Sequence, residues 1–415
     1  MQQGLFAIVG SAGIGEVSEA YCTQGSSPIA VVMPENEAEV SALLDYAQGM
    51  GVPCVVAGSG THLEFLTPPA GEWWLLSTRR LSRLIDYAPQ DLVLTVGAGM
   101  TLSTVQEVLR PHNQYLPWNP PLPEQATIGG IVASNRAGSW RYRYGTPRDR
   151  LLALRAVRGD GVAFKSGAKV VKSVAGYDMH RLLCGSWGTL AVITEITLKV
   201  QPQPQAFGAV GWHVAWERLE PTLAHLMRMT LEPDAISVLV MHTPRDPRLT
   251  PLASDELGQP YLLLEFSGHM ETVAWQIQHL REQGYPAAPV EAPTLEALRD
   301  WWAPRHHALM LQILMRPSEV ADTMRAWAHL PGVTLYAHAG SGVLYVAVAP
   351  SGLSEAVVHQ CRALNHKYRV LRGAEWLRAQ TDGALPTLQL SDGELRLMRG
   401  IKQALDPKGV LPTLA

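Results

Sequence analysis

Residues that build metal or cluster sites are scarce in this sequence. Its 415 residues include 4 cysteines, which form no Cys-x-x-Cys or Cys-x-His pair. They are Cys22, Cys54, Cys184 and Cys361. An iron-sulfur cluster needs several closely placed thiolates, so any cluster must belong to another chain. Widely spaced cysteines are typical of reduced, mostly buried thiols in a cytoplasmic protein.

Long runs of one residue type are also lacking. Lysine and arginine total 34 against 37 aspartate and glutamate, a formal net charge of -3, and no block is rich in basic residues. Nucleic-acid and polybasic membrane binding need clustered positive charge, so both roles are disfavoured. No apolar run approaches the roughly 18 residues that cross a bilayer, and the start MQQGLFAIVG is not a charged leader. We expect a cytoplasmic protein with no transmembrane segment.

Apolar residues are abundant, at 47% against 17% charged, which allows a large core and two or three domains. The pattern predicts a strand at 29–33, a helix at 37–50 and a strand at 53–57. Glu35 and Asn36 are candidate caps of the helix and Gly51 its stop. Further strands are expected at 73–77 and 91–99, and a helix at 101–112.

A domain boundary is predicted where the proline-rich stretch QPQPQAF interrupts regular structure, near residues 202–207. Beyond it, strand patterns at 235–241, 261–268 and 342–349 alternate with helical ones. That order predicts a second domain with an antiparallel sheet and helices on one face. The predicted fold class is α+β.

Glycines recur at loop-like positions between apolar stretches in residues 127–199, in the motifs TIGG, ASNRAG, YGTPRD, KSVAGYD and GSWGTLAVITEITLK. Such spacing indicates a backbone that comes close to a large ligand at several points, and a dinucleotide is the natural candidate. The earlier loop VVAGSGTHLEF follows a strand, and its amides at 58–62 are suited to bind a pyrophosphate. An ordinary tight turn is the alternative.

Three other motifs have plainer interpretations. VGSAGIGE follows the strand-like LFAIV and suggests an NAD site, but too few residues follow for a crossover helix, so we expect a loop. KSVAGYD offers Lys172, Tyr177 and Asp178 as polar groups near a cofactor, or else Asp178 caps a helix at 180–183. Asp160-Gly161 predicts a hairpin turn.

Together these motifs resemble the FAD-binding oxidoreductases of the vanillyl-alcohol oxidase, or PCMH, type over about residues 28–202. The resemblance implies a PCMH-type fold of two α+β subdomains plus a smaller antiparallel-sheet cap domain. The FAD domain would span 1–204, with subdomains of about 1–95 and 96–204. A cap would span 205–350, and a helical segment at 351–415 would return to the FAD domain.

The resemblance also implies which residues hold FAD. They are Gly58, Ser59, Gly60, Thr61, His62, Thr127, Gly130, Ala133, Ser134, Asn135, Gly188, Thr189, Val192 and Ile193. Relatives that bind FAD covalently through this loop carry a histidine after its second glycine. Thr61 stands at that position here, so we expect non-covalent FAD.

Within the family the motifs are most similar to FAD-binding subunits of glycolate dehydrogenases, which work beside a second flavoprotein subunit and an iron-sulfur subunit. The implied activity is oxidation of glycolate or another small 2-hydroxy acid. That chemistry needs a cation for the carboxylate and a base for the hydroxyl proton. Arg305, in DWWAPRHH, stands where relatives carry a carboxylate-binding arginine. The alternative is a helix whose Arg and His residues face water.

HAGSGVLY departs from the family's catalytic motif, H-x-G-D-G-N-x-H. His338 is retained, while Ser341, Val343 and Tyr345 replace the Asp, the Asn and the second His. One imidazole without a nearby carboxylate holds a divalent ion weakly, so we expect no metal. His338 stays a candidate catalytic residue. The same substitutions leave open an assembly subunit without turnover of its own.

Overall fold

The computed structural model describes residues 2–23, 25–63, 66–169, 176–242, 244, 246–254, 258–303, 307–386 and 388–413. The chain divides into two compact units. The first comprises Met1–Ala137, Gly145–Gln203 and Leu390–Ala415, and the second comprises Gly138–Tyr144 and Pro204–Gln389.

The strands of the described residues are β1 (Ile14–Gly15), β2 (Ala30–Val32), β3 (Cys54–Ala57), β4 (Trp74–Ser77), β5 (Leu84–Ala88), β6 (Val93–Gly97), β7 (Gln114–Tyr115), β8 (Leu151–Arg158), β9 (Ala163–Gly167), β10 (Ala191–Lys199), β11 (Gln201–Pro202), β12 (Ala206–His213), β13 (Ala235–Val240), β14 (Tyr261–Gly268), β15 (Ala288–Pro289), β16 (Leu309–Leu314), β17 (Val333–His338), β18 (Val343–Val348) and β19 (Lys367–Arg372). The helices are α1 (Gln2–Val9), α2 (Glu37–Met50), α3 (Leu102–Leu109), α4 (Ile128–Ser134), α5 (Arg141–Tyr144), α6 (Pro147–Arg150), α7 (Met179–Leu183), α8 (Trp216–Leu226), α9 (Met270–Glu282), α10 (Ala292–Trp301), α11 (Val320–Ala328), α12 (Glu355–Arg362), α13 (Ala374–Gln380) and α14 (Asp392–Leu405).

The first unit contains two main sheets. One has the strand order β1-β2-β4-β3, in which β2 and β3 run parallel to β4. The other has the order β5-β6-β10-β8-β9 and is antiparallel. One apolar cluster joins them, since it includes Val32 and Trp74 from the first sheet with Val157 and Val192 from the second. The loops that follow strands of the two sheets are therefore held at fixed positions relative to each other.

Helix α2 begins and ends at the residues that its sequence signals predict. The Asn36 side chain accepts a 2.9 Å hydrogen bond from the Glu39 amide. Gly51 ends the helix in a left-handed conformation with φ 67°. Such caps satisfy amides and carbonyls that lack partners at helix ends, which fixes both boundaries.

The second unit is built on one sheet with the order β15-β12-β14-β13-β17-β18-β16-β19 in the described residues. Its main apolar cluster includes side chains of β13, β16, β17 and β18, together with Leu223 of α8, Val273 of α9 and Trp327 of α11. Because side chains alternate along a strand, the residues between these core positions lie on the opposite face of the sheet. That opposite face carries polar side chains.

Three local predictions are tested by these elements. The strand expected at LFAIV is wrong: Leu5 and Val9 are buried at helical spacing, one turn apart in α1. Asp178 precedes α7 but its side chain makes no cap hydrogen bond, so its expected capping role is also wrong. The hairpin at Asp160-Gly161 is confirmed, since it joins β8 to β9 and the Gly161 amide donates to the Arg158 carbonyl at 3.0 Å.

The two units are divided differently from the expected domains. Residues 138–144 belong to the second unit although they lie within the stretch expected to bind FAD. Residues 351–389 also belong to the second unit, and only 390–415 join the first. None of the helices in the described ranges has the length and apolar character needed to cross a bilayer.

Candidate functional site

A cleft in the first unit lies where β3, α4 and β10 meet. It contains about 650 Å³ of empty space, part of which is open to solvent. Its lining residues are Val56, Ala57, Gly58, Ser59, Gly60, Thr61, His62, Leu63, Leu66, Thr78, Thr127, Gly129, Gly130, Ala133, Ser134, Trp187, Gly188, Ala191 and Ile193. No aspartate or glutamate is among these described lining residues, and such a lining favours an anionic or neutral ligand over a cation.

The loop that follows β3 supplies unpaired amide groups to this cleft. The N–H groups of residues 58–61 donate no hydrogen bond to any group in the described residues. The loop is held through its carbonyls instead: Ser77 Oγ donates to the Gly58 carbonyl at 3.0 Å, and Thr78 Oγ1 to the Ala57 carbonyl at 3.3 Å. Consecutive free amides in a turn form an anion-binding concavity. The loop is therefore suited to a pyrophosphate.

Glycine is required at the centre of this loop. Gly60 has φ +81°, and a Cβ there would lie 2.2 Å from the Ala20 carbonyl oxygen. The left-handed conformation and the close backbone contact each disfavour a side chain. The loop conformation that presents the free amides thus depends on Gly60.

The short helix α4 forms another wall of the cleft. Thr127 caps it, with Oγ1 accepting a 3.2 Å hydrogen bond from the Gly130 amide. The Gly129 amide donates to the Ala98 carbonyl at 2.8 Å. Gly130 and Ala133 are small, so a planar or extended ligand can approach the helix backbone closely.

His62 lies in the cleft as a neutral group. Burial lowers its pKa to about 3, and the positive charge of Arg136 acts in the same direction. Thr61 Oγ1 and His62 Nδ1 lie 3.2 Å apart, within hydrogen-bonding distance, and the ring packs edge-on against Trp187 with centroids 6.3 Å apart. His62 thus adds an uncharged surface to the cleft.

The structure brings most of the predicted cofactor residues to this cleft. Asn135, Thr189 and Val192 are not among its lining residues: Asn135 Oδ1 accepts from Cys184 Sγ at 3.3 Å, and Val192 is in the apolar cluster between the sheets. Sequence reasoning missed lining residues whose side chains carry no phosphate-binding signal. They are Val56, Ala57, Leu63, Leu66, Thr78, Gly129, Trp187 and Ala191.

His338, the predicted catalytic histidine, lies in the second unit among aromatic rings. Its ring centroid is 4.9 Å from that of Tyr336 on β17 and 5.3 Å from that of Tyr345 on β18. Trp302 stacks on Tyr336 at 5.1 Å, and Gln312 Nε2 donates to the Tyr345 hydroxyl at 3.0 Å. These side chains form a polar and aromatic patch on the sheet face opposite the apolar core.

Arg305, the predicted carboxylate-binding residue, lies outside the described residues, as does Lys172. His307, two positions after Arg305 in the sequence, is buried, and its ring centroid lies 4.3 Å from that of Trp301. Tyr177, the other polar group considered beside the cofactor, is 91% exposed.

Glu265 is a buried carboxyl on the same sheet that sequence reasoning missed. Ser139 Oγ donates to it at 3.1 Å and Trp140 Nε1 at 2.8 Å. Burial raises its pKa, and the two hydrogen bonds act against that shift. Burial also raises the pKa of Tyr336, and the charge of Glu265 adds to the rise. No local sequence pattern identifies Glu265 as a site residue, because its hydrogen-bond partners lie over a hundred positions away in the sequence.

Similarity to known proteins supports placing this chain in a class of flavin-binding proteins. A family profile described as an FAD binding domain matches residues 28–167. Glycolate oxidase subunit GlcE from Escherichia coli (strain K12) is 33% identical over 265 residues, which cover 60% of this chain and 73% of that protein. A D-lactate dehydrogenase from Archaeoglobus fulgidus is 28% identical over 404 residues, covering 92% and 89%.

Among solved structures, a 4-ethylphenol oxidase from Gulosibacter chungangensis has a TM-score of 0.71 at 14% identity, covering 99% of this chain and 95% of that one. The chain belongs to the PCMH-type FAD-binding oxidoreductase family. The predicted α+β, PCMH-type fold and the predicted FAD cofactor are thereby confirmed.

The cleft fits this cofactor on structural grounds. The free amides of residues 58–61 suit a pyrophosphate, and the absence of carboxylates from the described lining avoids repulsion. Apolar side chains such as Val56, Trp187 and Ile193 suit the ring systems at either end of a dinucleotide. These features occur in one continuous cleft of one unit.

Proposed function

We propose that this chain binds FAD non-covalently in the cleft and takes part in the oxidation of a small 2-hydroxy acid, with glycolate as the proposed substrate. The carrying observation is the row of free amides at residues 58–61 beside a largely apolar cleft whose described lining contains no carboxylate. Relatives named for D-lactate, glycolate and D-2-hydroxyglutarate support the substrate class.

Within this proposal, the first unit holds the cofactor, and bound FAD supplies the two-electron acceptor. The amides of residues 58–61 bind the pyrophosphate, and the small residues of α4 let the ligand approach. Thr61 has no nucleophilic ring nitrogen to join the flavin. His62 Nδ1 lies within hydrogen-bonding distance of Thr61. The proposed FAD is therefore held without a covalent bond at Thr61.

The second unit supplies the proposed substrate chemistry. In this proposal Arg305 binds the substrate carboxylate through its positive charge, and His338 accepts the hydroxyl proton. Tyr336 and Tyr345 hold the His338 ring between them. All three side chains are buried, which shields the imidazole from water.

The first experiment is spectroscopic. Purified protein is examined for flavin absorbance, then stripped and titrated with FAD. Denaturation with acid should release all the flavin into the supernatant, because no covalent bond holds it. A protein that neither contains flavin nor takes up added FAD would refute the proposal.

The substrate is tested with glycolate, D-lactate, L-lactate and D-2-hydroxyglutarate, using an artificial electron-accepting dye. Arg305→Met should raise KM for the preferred acid, since a carboxylate loses its cationic partner. Arg218→Met, at an exposed arginine of α8 in the same unit, is the control. If the protein prefers D-lactate, then D-lactate replaces glycolate as the proposed substrate, and the proposed reaction class is retained.

A second candidate function is an assembly subunit, whose FAD is structural and whose partner performs the turnover. His338 packs between Tyr336 and Tyr345. Tyr345 stands where the family's catalytic motif has its second histidine and Ser341 where it has the carboxylate, which favours this alternative. In both cases the proposed partners are a second flavoprotein subunit and an iron-sulfur subunit. Co-purification from native cells, reporting flavin, iron and partner chains together, tests this assembly.

A further inference from the structure

Lys402 of α14 is a largely buried ammonium group that joins separate parts of the first unit. Its Nζ donates to the Thr189 carbonyl at 2.8 Å, to the Leu411 carbonyl at 2.9 Å and to the Pro412 carbonyl at 3.2 Å. It also lies 2.5 Å from Asp406 Oδ2. Thr189 directly follows Gly188, which lines the cleft.

Asp406 fixes the turn after α14. Its side chain is fully buried, and its carboxylate accepts hydrogen bonds of 2.9 Å from the amides of Val410 and Leu411. A buried carboxylate needs such partners, and here Lys402 and the two amides supply them.

The residues after the turn reach the first sheet as well. The Val410 carbonyl accepts a 2.7 Å hydrogen bond from the amide of Cys54, the first residue of β3. That strand leads directly into the loop with the free amides. Val410 and Leu411 are buried in the apolar cluster shared by both sheets. Residues 402–412 therefore contact the backbone on both sides of the cleft.

The loop that Lys402 contacts has an unfavourable backbone conformation. Trp187 has φ 57°, a left-handed value that residues with a side chain rarely adopt. Its amide donates to the Ala133 carbonyl at 2.8 Å, and its ring lines the cleft. Such a conformation persists only where its surroundings hold it. The Lys402–Thr189 hydrogen bond is one of those restraints.

We propose that residues 402–412 form a clasp that sets the geometry of the cofactor cleft, with Lys402 as its positioning residue. The inference rests on the proposed binding of FAD in this cleft. Lys402 does not line the cleft; it acts through the main chain of Thr189. Binding of FAD and closure of the clasp are then coupled, and each stabilises the other.

The test measures the Kd of FAD by flavin fluorescence for the wild type and for Lys402→Met, Lys402→Arg and Lys165→Met. Lys402→Met should weaken FAD binding roughly tenfold to a hundredfold, as expected for losing charged hydrogen bonds. Lys402→Arg keeps the charge and should restore part of the affinity. Lys165 is an exposed lysine of β9 that lies outside the clasp and the cleft, so its substitution should leave the Kd unchanged.

Hydrogen exchange distinguishes positioning from general destabilisation. In apo Lys402→Met, amides of residues 185–191 and 54–61 should exchange faster than in the wild type, while those of the second unit stay unchanged. If Lys402→Met does not fold, Asp406→Asn is used in the same measurements. A wild-type Kd in the folded variant would overturn the inference.

Failure of the inference is separable from failure of the proposed site. If Gly60→Ala abolishes FAD binding while Lys402→Met retains wild-type affinity, the site stands and the clasp fails. If wild-type protein binds no FAD, both fail.

Discussion

Trp140 Nε1 donates a 2.8 Å hydrogen bond to Glu265 Oε2, across 125 positions of the sequence. Ser139, the preceding residue, donates to the other oxygen of the same carboxyl group at 3.1 Å. Both donors belong to the segment Gly138–Tyr144, which the chain contributes to the second unit between two stretches of the first. The buried carboxyl group of Glu265 thus fixes where the segment Gly138–Tyr144 attaches to β14.

Glu265 should make the stability of the protein depend on pH. Burial raises its pKa above the ordinary 4.5, so the folded state binds its proton more tightly than the unfolded state. The free energy of unfolding should therefore fall as pH rises above 4.5, by about 1.4 kcal/mol per pH unit until the folded-state pKa is passed.

The variant Glu265→Gln removes this titration and keeps an acceptor for Trp140. Urea unfolding of both proteins between pH 4 and 8 should show the variant gaining stability relative to the wild type as pH rises. Glu271→Gln, at an exposed position of α9, is the control. Parallel stability curves for Glu265→Gln and the wild type would contradict the prediction.

The sequence predicts elements whose signals are local. The bounds of α2 are predicted to the residue because Asn36 and Gly51 cap its ends. Those of β14 are predicted because the largely apolar sequence YLLLEFSG spans Tyr261–Gly268. The glycines of the loop after β3 predict its amide-rich turn at 58–62.

Contacts between distant residues have no such signal. Glu265 acquires its role from Ser139 and Trp140, and Trp187 enters the cleft through a left-handed turn that no tryptophan pattern predicts. Alternation of apolar residues marks which face of a strand is buried, but not which distant side chain covers it.

Gly60→Ala should abolish tight FAD binding. Gly60 has φ +81°, and the new Cβ would lie 2.2 Å from the Ala20 carbonyl oxygen. The loop must therefore change conformation, and its amides no longer point together at the pyrophosphate. Gly71 has a similar φ of +80° but nothing within 4 Å of an added Cβ. Gly71→Ala should therefore cost about 1–2 kcal/mol of stability and leave the Kd unchanged.

FAD titration of both alanine variants measures the difference. Loss of affinity by at least about tenfold in Gly60→Ala alone corresponds to about 1.4 kcal/mol of binding free energy. Equal affinities in the two variants would remove the loop from the binding site.

Thr127→Ala should weaken both a helix and the cofactor site. Thr127 Oγ1 caps α4 through the Gly130 amide, and the residue lines the cleft. Thr101 caps α3 in the same way, through the Thr104 amide at 3.3 Å, without lining the cleft. Each alanine variant should lose about 1 kcal/mol of stability.

Only Thr127→Ala should also lower FAD affinity, because only Thr127 lines the cleft. Thermal unfolding with and without FAD separates the two effects: added FAD should raise the Tm less in Thr127→Ala than in Thr101→Ala. The same FAD-induced shift in both would indicate that Thr127 acts only as a cap.

His338→Gln distinguishes the two candidate functions of the chain. If His338 accepts the substrate proton, its loss should lower kcat by about 10²- to 10⁴-fold. FAD affinity should stay unchanged, because His338 is not among the residues that line the cleft. His359, exposed on α12 of the same unit, provides the control His359→Gln.

Turnover is measured with the preferred acid and a dye acceptor, and again in the complex co-purified with its partners. A large kcat loss in both assays assigns proton transfer to this chain. Unchanged turnover in the complex, from a variant that still binds FAD, would instead place the chemistry in a partner. The ring of His338 would then serve to pack Tyr336 against Tyr345, which is the role that its two edge-on contacts already perform.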